Sequence, residues 1–225
     1  MKKTILYFLL VHFLFCWNTN CISQQNDAAL WAKIRLEKLV TPRILIHFKE
    51  AVRIGQNFTQ PNYAYSDIGL TFKINKNIYT SLNYRFTSKR QVENFLSIRH
   101  RFYFTLSLKK KIRPICIITR FILLSQFKDI YTSEEGMVPQ YYLRSKVTVR
   151  YDLNRFSPYE AAELITNITR WSQLQSDRYR LFAGCKYEFN KFNELDLYYM
   201  VEKHINQENP ITNYVVGIGY THRFY

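Results

Sequence analysis

The chain has 225 residues, of which 17% are aromatic and 22% charged, with a formal net charge of +15. Four cysteines, no low-complexity tract and no helical repeat exclude a disulfide-stapled scaffold, a disordered chain and a solenoid, and the length suits one domain. The basic balance alone would suggest nucleic acid, but behind an export signal it points instead to a basic lumen, anionic headgroups or anionic solutes.

That signal is read from Lys2 and Lys3, an apolar run from Ile5 to Trp17, and a polar stretch ending near Cys21-Ile22-Ser23. A run of about 13 residues is too short to span a bilayer as a helix, which takes roughly 20. Residues 1–23 are therefore expected to be a signal peptide and 24–225 one barrel domain. A lipidated Cys21 is the competing outcome, against which Asn18-Thr19-Asn20 lacks the small apolar residues usual before such a cysteine. Removal of Lys2 and Lys3, with no acidic residue among the first 23, takes the charge from +15 to +13. Cys116 and Cys185 remain, and strand parity puts them on opposite faces, so no bridge is expected.

In chain order the pattern is one of alternation. Trp31 to Leu39 gives a short alternating segment and Pro42 ends it. Arg43 to Arg53 sets Ile44, Ile46, Phe48 and Val52 against His47, Lys49 and Arg53. Ala64 to Asn75 sets Ile68, Leu70 and Phe72 against Asp67, Gly69 and Thr71, Asn75-Lys76-Asn77 turns the chain, and Ile78 to Ser88 returns with Leu82, Tyr84 and Phe86 on its apolar side. The clearest strand follows, Leu96 to Leu108, whose Phe102, Phe104 and Leu106 alternate with Arg101, Tyr103 and Thr105 in an order no amphipathic helix gives. Lys109-Lys110-Lys111 is read as the next turn, before a strand through Ile115, Ile117, Phe121 and Leu123. Tyr141 to Tyr151 alternates again. Phe156 to Ile168 does so less cleanly, because Glu160 and Glu163 fall on opposite faces. Tyr179 to Phe189 and Leu195 to Val201 form another pair, and Asn213 to Tyr225 ends on an aromatic residue, with Tyr214, Val216, Ile218, Tyr220 and Phe224 on one side.

Short connections (75–77, 109–111, 152–155, 190–193) alternate with longer ones, as in outer-membrane barrels with short periplasmic turns and longer outer loops. The expected fold is all-β, a single antiparallel transmembrane β-barrel of about 10–12 strands. Ten strands from Arg43 onward would put both ends of the barrel on the periplasmic side. The Trp31 segment would then pair with a further short strand, lie on the periplasmic side, or enter the lumen.

The pieces resemble a known family, the outer-membrane barrels classed as domain of unknown function 2490, typical of Bacteroidetes-type Gram-negative bacteria. The matching features are Trp31, Arg53, Arg99-His100-Arg101-Phe102-Tyr103, Ser157-Pro158-Tyr159 followed by Glu163, Asp177-Arg178-Tyr179-Arg180 ahead of Gly184, and Gly217-Ile218-Gly219-Tyr220. High basic charge and scarce glycine are departures. The resemblance implies the architecture and the outer membrane, and it carries no activity over.

A search for chemistry finds no glycine-rich phosphate loop, no paired-cysteine zinc pattern, no His-Glu-x-x-His and no Gly-x-Ser-x-Gly, so neither an enzyme nor a metal or cofactor site is expected. His47, placed inward, is the one histidine to which a serine from another strand could be added to make a hydrolase; His100 and His222 read as outward residues near a headgroup zone. By parity the lumen is lined by an excess of cations, and the candidate site is a salt-bridge network of Arg99, Arg101, Arg144, Arg150, Glu163, Arg178, Arg180, Glu188, Asp196 and Glu202. Two readings of it stand: a packed, rigid lumen in a structural or assembly component, or a narrow anion-preferring pore. A secreted β-sandwich or lipocalin-like binder is the soluble alternative. Expected partners are outer-membrane lipid and lipopolysaccharide, and the barrel-insertion machinery acting on Asn213 to Tyr225; nucleic acid is not among them.

Overall fold

The computed structural model describes residues 25–90, 95–128, 139–170, 174–206 and 210–224, so the expected signal peptide and the terminal Tyr225 lie outside the described residues. The described chain is all-β. Its strands are β1 (Gln25–Thr41), β2 (Ile44–Gly55), β3 (Gln60–Lys73), β4 (Ile78–Arg90), β5 (Leu96–Ile112), β6 (Ile115–Lys128), β7 (Gln140–Tyr151), β8 (Phe156–Asn167), β9 (Gln175–Glu188), β10 (Asn193–His204) and β11 (Ile211–Phe224). Each pairs antiparallel with its neighbour in sequence, and β1 closes the barrel against β11 in a parallel ladder from Gln25↔Ile211 to Lys38↔Phe224.

Turn chemistry sets the hairpins. Asn75 Oδ1 accepts from the backbone N–H of Asn77 at 2.8 Å and of Ile78 at 2.9 Å, and Asn190 Oδ1 does the same for Phe192 and Asn193 at 2.9 and 2.8 Å. Gln56, Asn57 and Phe58 take positive φ in the β2–β3 connection. Connections 42–43, 74–77, 113–114, 152–155 and 189–192 lie at one end, here the short-turn end, and the strand ends Gly55, Arg90, Lys128, Asn167 and His204 mark the other, here the long-loop end.

The period-2 pattern turns inside out relative to a soluble protein. Leu82, Phe102 and Leu181 stand outward at 65%, 55% and 52% exposure, whereas Asp67, Glu163 and Glu202 face inward at 1%, 3% and 4%. A smaller apolar cluster, Ala29, Met200 and Val215 with Trp31, Phe182 and Tyr198, fills part of the lumen beside the β1·β11 seam. Gly217 and Gly219 make that packing possible. A Cβ on Gly217 would collide with the Tyr198 ring, and one on Gly219 with the Lys33 side chain. Cys116 is buried, Cys185 half-buried, and both are free.

Three expectations are corrected. The Trp31 segment is neither half of an added pair nor a separate element; it is part of a 17-residue strand in the wall. Because an odd number of strands makes the first and last run in the same direction, Gln25 and Phe224 lie at opposite ends of the barrel rather than together. The lysine run 109–111 is not a turn but the end of β5, with Lys110 opposite Ile117 and Lys111 opposite Cys116; the chain turns at the cis Arg113–Pro114 bond. The strand expected at 156–168 is present as β8, with Glu163 buried inward and Glu160 on the opposite face as read from the sequence; it pairs with β9 along its length, with a register shift between Ile165 and Thr166, and with β7 from Tyr159 onward.

Candidate functional site

The registers arrange the lumen charges in rows that run across the strands. One row reads Glu202, Arg180, Glu163, Lys146, Arg120, directly opposite one another on β10, β9, β8, β7 and β6. Charge sign alternates over its first four members, so the neighbours among these attract, while Arg120 at the end of the row faces a like charge on Lys146. Arg144 donates two hydrogen bonds to Glu163 Oε1, from Nε at 3.0 Å and Nη2 at 2.7 Å. Arg180 donates to the other Glu163 oxygen at 3.1 Å and, through Nε, to Glu202. Asn213 donates to Glu202 at 3.0 Å, while Arg178 and His204 stand 3.9 and 3.6 Å from it.

A second row reads Lys49, Asp67, Arg85, Arg101, Gln126, on β2 to β6. Asp67 is its anion. It accepts from Arg85 at 2.8 Å, from Lys49 at 3.3 Å and from the Tyr103 hydroxyl. His47 Nε2 is 3.6 Å away, and its Nδ1 has no hydrogen-bond partner among the described residues, so no serine is joined to it there. Arg85 stacks over Tyr65 at 4.0 Å. Arg53 lies 3.6 Å over the Trp31 ring and 4.4 Å over Tyr63, so a buried guanidinium is held by aromatic faces instead of a carboxylate.

Nearer the short-turn end, Lys33 donates to Asp196 at 2.9 Å and the Tyr159 hydroxyl to its other oxygen at 2.8 Å. Lys186 and Arg223 both reach Glu194, Arg223 also meets Glu37 at 3.3 Å, and Arg35 donates to Glu37 at 2.6 Å. Asp152 takes Lys111 and Arg150, each at 2.7 Å. Burial pulls the Asp152 pKa upward, but the two cations outweigh it and hold the carboxyl below its ordinary value.

Of the residues singled out from sequence, Arg144, Glu163, Arg178, Arg180 and Glu202 are brought together. Asp196 lies lower in the lumen with Lys33 and Tyr159, and Arg150 is paired with Asp152 at the rim. Arg101 meets Gln126 at 2.7 Å, and Arg99 has no ion pair among the described residues. Glu188 is not where it was expected: it is exposed at the end of β9, and Glu194, opposite it on β10, makes the inward contacts instead. Sequence reasoning left Asp67, Lys49, Arg85, Lys33 and the Arg53–Trp31 stack out of the site. Arg120, on the lumen face beside Ser107 at 3.3 Å, remains exposed, so the interior is not filled throughout. Among the described residues no group of three or more His, Cys, Asp or Glu is placed to hold a metal ion.

A family model described as a protein of unknown function, DUF2490, matches residues 28–214. No curated protein matches the chain.

Proposed function

The chain belongs to the DUF2490 family, and we propose that it is an outer-membrane β-barrel, structural or serving in assembly or interaction, with a basic lumen tied by salt bridges and no catalytic role. The observation that carries this reading is the inversion of the two faces. Residues such as Ile46, Phe72, Leu82, Phe104, Leu123 and Val216 are exposed around the wall while Asp67, Arg85, Glu163 and Arg180 are buried inside it. Soluble monomers rarely expose a contiguous apolar patch beyond a few hundred Å². A hydrocarbon layer around the wall would remove the cost of that belt, and a closed barrel leaves it no unpaired edge. Tyr141, Tyr151, Tyr187, Tyr214 and Tyr220 on the outer face suit headgroup girdles. On this reading the partners are outer-membrane lipid and lipopolysaccharide, with β11 engaging the insertion machinery, and the long loops face outward from the cell.

Glu50 is the feature the reading has to absorb, since it is exposed near the middle of β2 between Ile34 and Ser66. A carboxylate at bilayer depth costs less than an arginine there.

The test is fractionation of the untagged protein followed by gel migration before and after heating in mild detergent. Membrane recovery with heat-modified migration is expected; a wholly soluble periplasmic protein would overturn the reading in favour of a lipocalin-like binder. The second reading, a narrow anion-preferring pore, is favoured by one observation, the lumen exposure of Arg120. In planar bilayers the packed lumen gives no steady conductance or small anion-preferring events, whereas large, long-lived ohmic channels would promote the pore.

A further inference from the structure

Unsatisfied donors gather at one place in the barrel. Among the described residues four buried side-chain polar atoms lack a hydrogen-bond partner, and three of them, Ser97 Oγ, Arg99 Nε and Arg178 Nε, lie at the long-loop end. Ser97 is fully buried, directly opposite Lys89 and two residues before Arg99. Arg178 comes from β9, yet its charge acts on both Lys89 and Arg99, and the Tyr142 hydroxyl of β7 lies within the fields of Arg99, Arg101 and Arg178. Side chains from β4, β5, β7 and β9 therefore converge on one space.

Among the described residues the carboxylates in reach do not neutralise it. Glu202 is held by Arg180 and stands 3.9 Å from Arg178, and Asp177 is the neighbour of Arg178 on β9. Lys128 adds a further cation directly opposite Arg99. Arg99 and Arg178 are half-buried, but the Nε of each is shut off from solvent without an acceptor, a desolvation cost that an oxyanion would relieve, and two guanidiniums with an ammonium and a hydroxyl match a tetrahedral dianion in charge and in donor number.

We propose that Lys89, Ser97, Arg99 and Arg178 form a binding site for a phosphate-class oxyanion at the long-loop mouth of the lumen. The site faces the barrel interior and does not depend on what surrounds the outer wall. The phosphate could be a free solute or a lipid headgroup reaching over the rim, since the donors would be the same.

The experiment is calorimetric titration of inorganic phosphate into the full barrel in a non-ionic, phosphate-free detergent at constant ionic strength, beside thermal unfolding with and without phosphate. Saturable uptake and a phosphate-dependent rise in the unfolding temperature are expected. Arg99→Gln and Arg178→Gln should each weaken uptake about tenfold or more, the loss of one charged hydrogen bond, and Arg150→Gln at the opposite end should leave it unchanged. Without phosphate, Arg99→Gln should unfold at or above the temperature of the unaltered protein, because it removes uncompensated repulsion; this keeps the test independent of misfolding. A second arm adds phosphatidylglycerol to the micelles: competition with phosphate assigns the headgroup as source, and no competition assigns the free anion. Absence of saturable phosphate uptake, or uptake unaltered in both arginine variants, overturns the site.

Discussion

The two ends of the lumen treat charge differently. At the short-turn end every described cluster has an anion at its centre: Asp152 between Lys111 and Arg150, and Glu194 and Glu37 sharing Arg223 with Lys186 and Arg35 on either side. At the long-loop end Lys89, Arg99 and Arg101 crowd together, and Arg101 meets neutral groups, Gln126 at 2.7 Å and the Tyr63 ring at 5.8 Å. Compensated charges cross-link strands and stiffen a wall, whereas uncompensated ones attract counter-charge from solution. The same residue type thus serves a structural task at one end and a recognition task at the other, and the availability of a carboxylate in the facing strand is what divides them.

The sharpest way to break the comparison is to remove an anion from the compensated region. Asp67→Asn leaves Lys49 and Arg85 without their counter-charge in a buried setting, and Glu163→Gln does the same to Arg144 and Arg180. Removing one partner of a buried pair costs about 3–5 kcal/mol, so both variants should lose their heat-resistant gel form at markedly lower temperature. Glu163→Gln should change any bilayer current less than it changes that resistance. Arg99→Gln, at the uncompensated end, should show no such loss. Equal losses at both ends would abolish the distinction.

The distinction also presumes an interior enclosed by an apolar wall. An arginine at Phe102 or Ile117, both in the outward set, should cost about 2–4 kcal/mol in lipid if those positions meet the bilayer midplane. Near-neutral folding of both in phosphatidylcholine vesicles would mean the wall is not lipid-facing. Within the lumen, Gly217→Ala drives a methyl group into the Tyr198 ring, and overpacking of that kind costs about 1–3 kcal/mol. Urea titration of refolding would detect it, and a neutral result would show that the seam beside the apolar cluster is loose.

Much of this was legible because alternation and turn chemistry are local. The outward series Phe102, Phe104 and Leu106 follows from side-chain period alone, and an Asn-led turn at 75–77 centres its hairpin on Lys76, which places Asp67 opposite Arg85 as observed. That pair was open to derivation and was missed because the inward charges were taken by sign, not by register. Glu188 went astray for a related reason: parity gave it an inward side, but being at the strand end it is exposed, and Glu194 across the turn is the better placed carboxylate. The β1·β11 closure was beyond local reasoning. Nothing in Trp31 to Leu39 distinguishes a strand that pairs with its successor only from one that also accepts a parallel partner nearly two hundred residues on. The Arg53 stack on Trp31 and Tyr63 was hidden likewise, because its three residues come from three strands.

The smallest expected effect lies at the short-turn rim, where Asp152 sits outside the strands with Lys111 and Arg150. Its carboxyl is held below the ordinary aspartate pKa of 3.8, the two cations outweighing a burial effect of opposite sign. A group whose folded pKa is depressed contributes stability above its unfolded pKa, and that contribution disappears as pH falls through the folded value. Other buried carboxylates share the acid limb, so the informative quantity is a difference. The unfolding temperature of Asp152→Asn should lie below that of the unaltered barrel at neutral pH, and the gap should close as pH is lowered past the ordinary aspartate range of about 4. Screening at a partly exposed rim keeps the gap small and makes it shrink further in high salt. A gap that stays constant from neutral pH to acid would show that the Asp152 contribution is packing at the β7–β8 turn rather than charge, and the short-turn end would then owe its rigidity to geometry alone.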